Sequence, residues 1–164
     1  GTTATAPTVP SGWTRRVFDS QIFVDTKIAT SDDVATGTVP LTVAAVPNNR
    51  SCVGYVKNVD FISATAIIID SSFPYFANTA YATQGDCILT IVRGNRDANS
   101  VVLGGELISD GITSQSILVN QTSNAGNGGG FAVVLATAVS ETIDIQYGLA
   151  TGNTSSKNTV LTLR

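Results

Sequence analysis

The sequence predicts an all-β chain: a single-domain, jelly-roll-like two-sheet sandwich of about eight strands, preceded by an extended N-terminal arm. Three observations predict it. Large apolar residues alternate with small or polar ones at a period of two through most of the chain. β-Branched residues are dense throughout, as half-buried pleated surfaces favour. Turn signals such as Pro47-Asn48-Asn49, Gly94-Asn95, Asp110-Gly111 and Gly152-Asn153 separate the alternating runs. Apolar residues make up 43% of the 164 positions and charged residues 13%, with a net charge of −3, which excludes a disordered chain. A domain of this length buries about 70% of its unfolded surface, enough for a core without staples.

In order along the chain, Gly1 to Gly12 (GTTATAPTVPSG) lacks an apolar period, and Pro7 and Pro10 bias it toward extended backbone. The arm is drawn over 1–16 and the sandwich over 17–164. Trp13, Arg15, Arg16 and Phe18 stand where the two meet, and Trp and Arg are the residue types that anchor interfaces, so these four are the candidate protein-contact residues. The plainer reading has Trp13 capping the open end of the core.

Phe18, Ile22, Val24 and Ile28 are read as one face of the first strand, followed by Leu41, Val43 and Ala45. Val53, Tyr55, Val59 and Phe61 form the next, continued by the buried run Ile67 to Ile69. Cys87, Leu89 and Ile91, then Val101 and Leu103, then Ile117 and Val119 follow. The two clearest runs are late: Phe131 to Val139, and Ile143, Ile145, Tyr147 and Leu149 separated by Asp144, Gln146 and Gly148. Leu161 and Leu163 complete the series. The one expected helical turn lies around Tyr75 to Thr83, in the longest connection. An immunoglobulin-like sandwich fits less well, for want of a Cys-Trp-Cys pattern.

Reaction chemistry is poorly supplied. The chain has no His, the usual general base and transition-metal ligand. Cys52 and Cys87 have no metal spacing; they are either a disulfide, worth about 4 kcal/mol in the chain-entropy model, or two buried free thiols. No phosphate loop, dinucleotide fingerprint or nucleophile elbow occurs, and Gly126 to Gly130 (GNGGG) reads as a loop between strands. A pair of carboxylates is the one catalytic device left. Its candidates are Asp32-Asp33, Asp60, Asp70, Glu106 and Glu141, with Asp60 and Asp70 expected to be partly buried and Asp32-Asp33 also a candidate calcium site. The sequence therefore argues against an enzyme and implies no cofactor.

Nucleic acid is an unsuitable partner, because 9 basic residues face 12 acidic ones and cluster only at Arg15-Arg16. No apolar run approaches the about 18 residues that span a bilayer. A Thr-, Ser- and Asn-rich exterior with few charges is cheap to desolvate, which suits a protein that meets other proteins over much of its surface. The sequons at Asn49, Asn120 and Asn153 are what chance gives in so Asn-, Ser- and Thr-rich a chain.

The small-residue arm (GTTATAPTVPSGWTRR), the strand series from Val17 to Arg164 and the sparse charge together resemble the small jelly-roll decoration, or cement, proteins of tailed-phage capsids. The pattern covers the whole chain and rests on no diagnostic motif. The resemblance implies a homotrimer on the outer surface of a virion, extracellular, with the arm strapping neighbouring subunits of the major capsid protein. A second reading, from a different class, is a glycan- or receptor-binding module at a spike or fibre tip. Tyr75, Phe76 and Tyr81 would form its aromatic platform. An acid-pair hydrolase is the weakest third.

Overall fold

A computed structural model of the protein describes residues 7–19, 22–38, 54, 56–70, 75–95, 102–107, 109–121, 130–149 and 155–164; at 68–70, 75–77, 95, 105–107, 149 and 155–156 it describes the backbone alone. The chain divides into two compact units, Gly1–Gly54 and Tyr55–Arg164. The expected boundary at residue 16 falls inside a strand of the first unit, so the run from Val17 to Ile28 belongs to that unit and not to the sandwich.

The N-terminal unit holds a two-stranded antiparallel sheet, β1 (Thr14–Phe18) and β2 (Phe23–Thr26), followed by a short helix α1 (Ser31–Thr36). Phe18 pairs with Phe23, and next to them the Asp19 N–H donates to the Ile22 carbonyl at 2.8 Å. That reversal breaks the single face expected for Phe18, Ile22, Val24 and Ile28. Ile22 is buried, whereas Ile28 is 80% exposed. The helix has local causes. The Thr30 hydroxyl accepts from the Asp33 N–H, the Asp33 carboxylate accepts in turn from the Thr30 N–H, and Gly37 stops the helix at φ +63°.

The C-terminal unit is a two-sheet sandwich. Its strands are β3 (Ile62–Ala64), β4 (Ile68–Asp70), β5 (Tyr75–Tyr81), β6 (Cys87–Asn95), β7 (Leu103–Leu107), β8 (Ile112–Gln121), β9 (Gly130–Ala138), β10 (Thr142–Leu149) and β11 (Ser155–Leu163). The larger sheet runs β3-β11-β6-β9-β8, with β4 also on β11; the smaller runs β5-β10-β7. β3 and β4 are two halves of one edge strand. Between them the Thr65 N–H donates to the Val160 carbonyl and the Thr65 hydroxyl accepts from the Val160 N–H, so the ladder continues through the break. With those halves counted together, the described residues of this unit hold eight strands, although not the eight expected: β5 replaces the Phe18 to Ile28 run, which lies in the other unit. Their pairing is nested: first with last (β3/β4 on β11), second with seventh (β5 on β10), third with sixth (β6 on β9). That nesting is jelly-roll-like, with one departure among the described residues: the fourth and fifth strands do not pair, and β8 joins β9 in the larger sheet.

Side-chain alternation builds the core. Along β9, Ala132, Val134, Ala136 and Ala138 are buried, while Phe131, Val133, Leu135 and Thr137 on the other face are half-buried. The small inward residues make room for Ile143, Ile145 and Tyr147 of β10, all fully buried in the same cluster with Ile88, Val92 and Val160. Burial pushes the Tyr147 phenol up, and hydrogen bonds with Ser109 and Thr90 act against that shift.

Each open side of the sandwich carries an amide clasp. On one side, Asn78 Nδ2 donates to Thr65 Oγ1 at 3.1 Å and to Asn158 Oδ1 at 2.7 Å, which ties β5 to β11 and the β3/β4 edge. On the other, the Asn120 side chain imitates a strand backbone. Its Oδ1 accepts from the N–H groups of Val102 (2.8 Å) and Leu103 (3.1 Å), and its Nδ2 donates to the Leu103 carbonyl (2.7 Å). Neither β8 nor β7 is left with a bare seam there.

Candidate functional site

The candidate contact residues of the N-terminal unit divide into spent and available ones. Arg15 is spent. Its guanidinium makes a bidentate pair with Asp25 (2.7 and 2.8 Å), donates to the Pro7 carbonyl (2.8 Å), and lies over the rings of Phe18 (5.5 Å) and Phe23 (5.2 Å). The Asp25 carboxylate accordingly raises the Arg15 pKa. Arg16 donates to the Thr26 hydroxyl across the hairpin at 2.7 Å. Trp13 is half-buried, and its backbone N–H donates to the Pro10 carbonyl. Residues 7–16 are thus hydrogen-bonded into the N-terminal unit and do not form a separate arm; residues 1–6 lie outside the described part.

What remains available is apolar. Phe18 is 41% exposed, Val34 73% and Ile28 80%. Ile28 stands two residues ahead of the Thr30 cap and Val34 in the helix behind it, so both flank the start of α1. Ile22 is the one fully buried apolar side chain among this unit's described residues. Two charge pairs also tie these residues together: Arg15 with Asp25, and Lys27 with the buried Asp33 at 2.7 Å. The hydrogen bond from Lys27, with two more from Thr30, holds the Asp33 carboxyl down at about 2.

Those bonds also correct the calcium expectation. Lys27 and Thr30 occupy both Asp33 oxygens, which leaves Asp32, exposed on the helix, without a partner carboxylate beside it. Asp60 is exposed and not partly buried, and so is Glu141; the side chains of Asp70 and Glu106 lie outside the described residues. Asp86, which the sequence reading passed over, is buried and bound bidentately by Arg164 (3.0 and 2.9 Å), which holds its carboxyl below the usual range. Arg164 also lies over the Phe61 ring at 5.3 Å. Cys87 carries a free, half-buried thiol that burial pushes up in pKa, the opposite of an activated nucleophile. Its expected counterpart Cys52 lies outside the described residues.

The aromatic platform looks different from its sequence reading. Tyr75 to Tyr81 is a seven-residue strand, β5, not a helical turn in a long connection. The side chains of Tyr75 and Phe76 are outside the described residues, and Tyr81 stands 80% exposed at the strand's end. Beside it a groove of about 280 Å³ opens between the β3 and β5 edges, lined by Ser63, Thr65, Thr79, Tyr81 and Thr162.

No protein-family model, no curated protein and no solved structure matches this chain.

Proposed function

We propose that this chain is a non-enzymatic structural protein, a decoration or cement protein of a virus capsid. It works by contact with other protein surfaces and associates as a homotrimer. The observation that carries the reading is the N-terminal unit: a two-stranded sheet and a six-residue helix that bury Ile22 and present Phe18, Ile28 and Val34. Among the described residues the sheet has only two strands, which is marginal in water, so covering these exposed apolar side chains with another protein surface would add to the unit's stability. The 13% charged composition of the whole chain removes the desolvation cost that would resist such contact. The gripping element is then the N-terminal unit and not a loose arm.

Covering Ile28 and Val34 is worth about 1.5–3 kcal/mol each when burial is complete. Light scattering on the full chain is expected to give a trimer mass, and the double substitution Ile28→Asp, Val34→Asp a monomer. Both side chains face solvent, so an unchanged circular dichroism spectrum will show that the fold is intact. A wild-type monomer at the highest soluble concentration, or a trimer indifferent to the two aspartates, sinks the proposal.

A further inference from the structure

We infer that the groove between β3 and β5 is a binding site for a neutral carbohydrate, stacked on Tyr81. Tyr81 is 80% exposed at the end of β5, an edge strand whose single ladder, to β10, sets the side chain's direction. The β5–β10 register holds it. Tyr81 pairs with Thr142, and Thr79, two residues back on the same face, pairs with Asp144. Two residues of strand separate those rows by about 6.8 Å, and neighbouring strands stand about 4.8 Å apart. An apolar plate therefore lies within one sugar ring's width of a hydroxyl and a carboxylate. The Thr79 hydroxyl donates to Asp144 Oδ1 at 2.8 Å, which leaves its lone pairs pointing outward as acceptors and fixes the carboxylate's orientation.

The opposite wall continues the chemistry. Ser63 pairs with Thr162 in the β3–β11 ladder, and the Thr162 hydroxyl donates to the Tyr81 carbonyl at 3.1 Å, so the rim strand is anchored to the floor of the groove. Thr65 is held behind by Asn78 and Val160. The groove is thus preorganised, with hydroxyl-bearing side chains along a rigid channel and an aromatic face at its mouth.

The ligand class follows from what the lining does not offer. Among the described residues no basic side chain lines it, so they offer a phosphate or sulfate no counter-charge, and nearby Asp144 repels one. Among the described residues Ala64 and Ala80 are the only aliphatic contributors, too little for a fatty chain or a large apolar side chain. At about 280 Å³ the groove lies just under the about 300–1,000 Å³ of sites for drug-sized molecules. An uncharged polyol ring fits all three conditions: its C–H face packs on the tyrosine, and its hydroxyls exchange hydrogen bonds with Thr79, Asp144 and Ser63.

The test is saturation-transfer NMR and calorimetry on the full chain, using neutral hexoses, N-acetylhexosamines and their disaccharides as probes. At least one probe is expected to bind saturably. Tyr81→Ala should weaken it by about tenfold or more, equivalent to about 1.4 kcal/mol, while Tyr81→Phe, which keeps the ring, should change it little. Asp144→Asn should weaken it several-fold. The side chain of Tyr81 points into solvent, so unchanged melting temperatures will separate lost binding from lost folding. Absence of saturable binding across the panel, binding confined to charged sugars, or binding that survives Tyr81→Ala overturns the inference. None of these outcomes bears on the trimer, which rests on other residues.

Discussion

Asn120 is the most informative single position for the stability of the sandwich. Its carboxamide satisfies two backbone N–H groups and one carbonyl at Val102 and Leu103. Those residues are 1% and 3% exposed, so water has little access to the groups that Asn120→Ala would strand. An unmet buried polar group costs about 1–3 kcal/mol. Because position 120 itself is half-buried, solvent reaching the vacated space keeps the total near the lower bound, about 3 kcal/mol for the three groups together. With a urea slope of about 2 kcal/mol/M, the unfolding midpoint should fall by about 1.5 M. Asn120→Asp retains both acceptor bonds but sets an oxygen against the Leu103 carbonyl, so its loss should be smaller, about 1 kcal/mol. Urea titration followed by far-ultraviolet circular dichroism measures both, since the only Trp lies in the other unit. A midpoint for Asn120→Ala within about 0.3 M of the parent would refute the reasoning and show the clasp to be incidental. The same geometry bears on the sequon Asn120-Gln121-Thr122, because a glycan on Nδ2 would require the clasp to open.

Two further outcomes follow from local geometry. Gly111 sits at φ +73°, and an added Cβ would meet Ser140 Oγ at 2.5 Å and the Thr142 carbonyl oxygen at 2.6 Å. Gly111→Ala should therefore cost about 3 kcal/mol from left-handed backbone plus overpacking, lowering the melting temperature by about 10 °C. A change under about 2 °C would show that the turn relaxes freely. The Asp33 carboxyl lies at about 2, below its ordinary 3.8, so its contribution is fully present above pH 3.8 and is lost as pH falls through about 2. Carboxyl NMR titration should show Asp33 protonating at about 2, below its ordinary 3.8, and a normal midpoint for it would contradict the Lys27 and Thr30 bonds.

Much of this architecture was legible in the alternation of side chains, and the exceptions are instructive. Phe131 to Val139 and Ile143 to Leu149 read correctly because one face of each strand is buried and periodicity is then enforced by the core. β5 did not read as a strand because its inward residues include Asn78, a clasp, and Ala80, which leaves no large apolar signal. The pairing of Phe18 with Phe23 is not legible because Asp19 to Ile22 holds no glycine or proline, so alternation reads straight through. α1 was missed although Thr30, Asp33 and Gly37 spell a capping box and a stop; the window is only six residues, too short for a helical period to appear. Arg15 illustrates a different limit. Its residue type favours interfaces, but Asp25 lies ten positions away and meets it only once the hairpin closes. The Tyr81 groove depends on β3 and β5 facing each other, a juxtaposition that arises from topology and from no local pattern.

The placement of β11 has a consequence for how the protein is made. During translation β3 and β4 leave the ribosome with their hydrogen-bonding edges bare, because the strand that covers them comes about a hundred residues later. The Thr65–Val160 bond alone spans 95 positions, which takes about 5–20 s to synthesise. β6 waits likewise, with one neighbour missing until β11 inserts beside it. Folding of the sandwich is therefore held back until the nascent chain has delivered β11, and a message cut short before Ser155 would release a product with an open β edge, prone to clump.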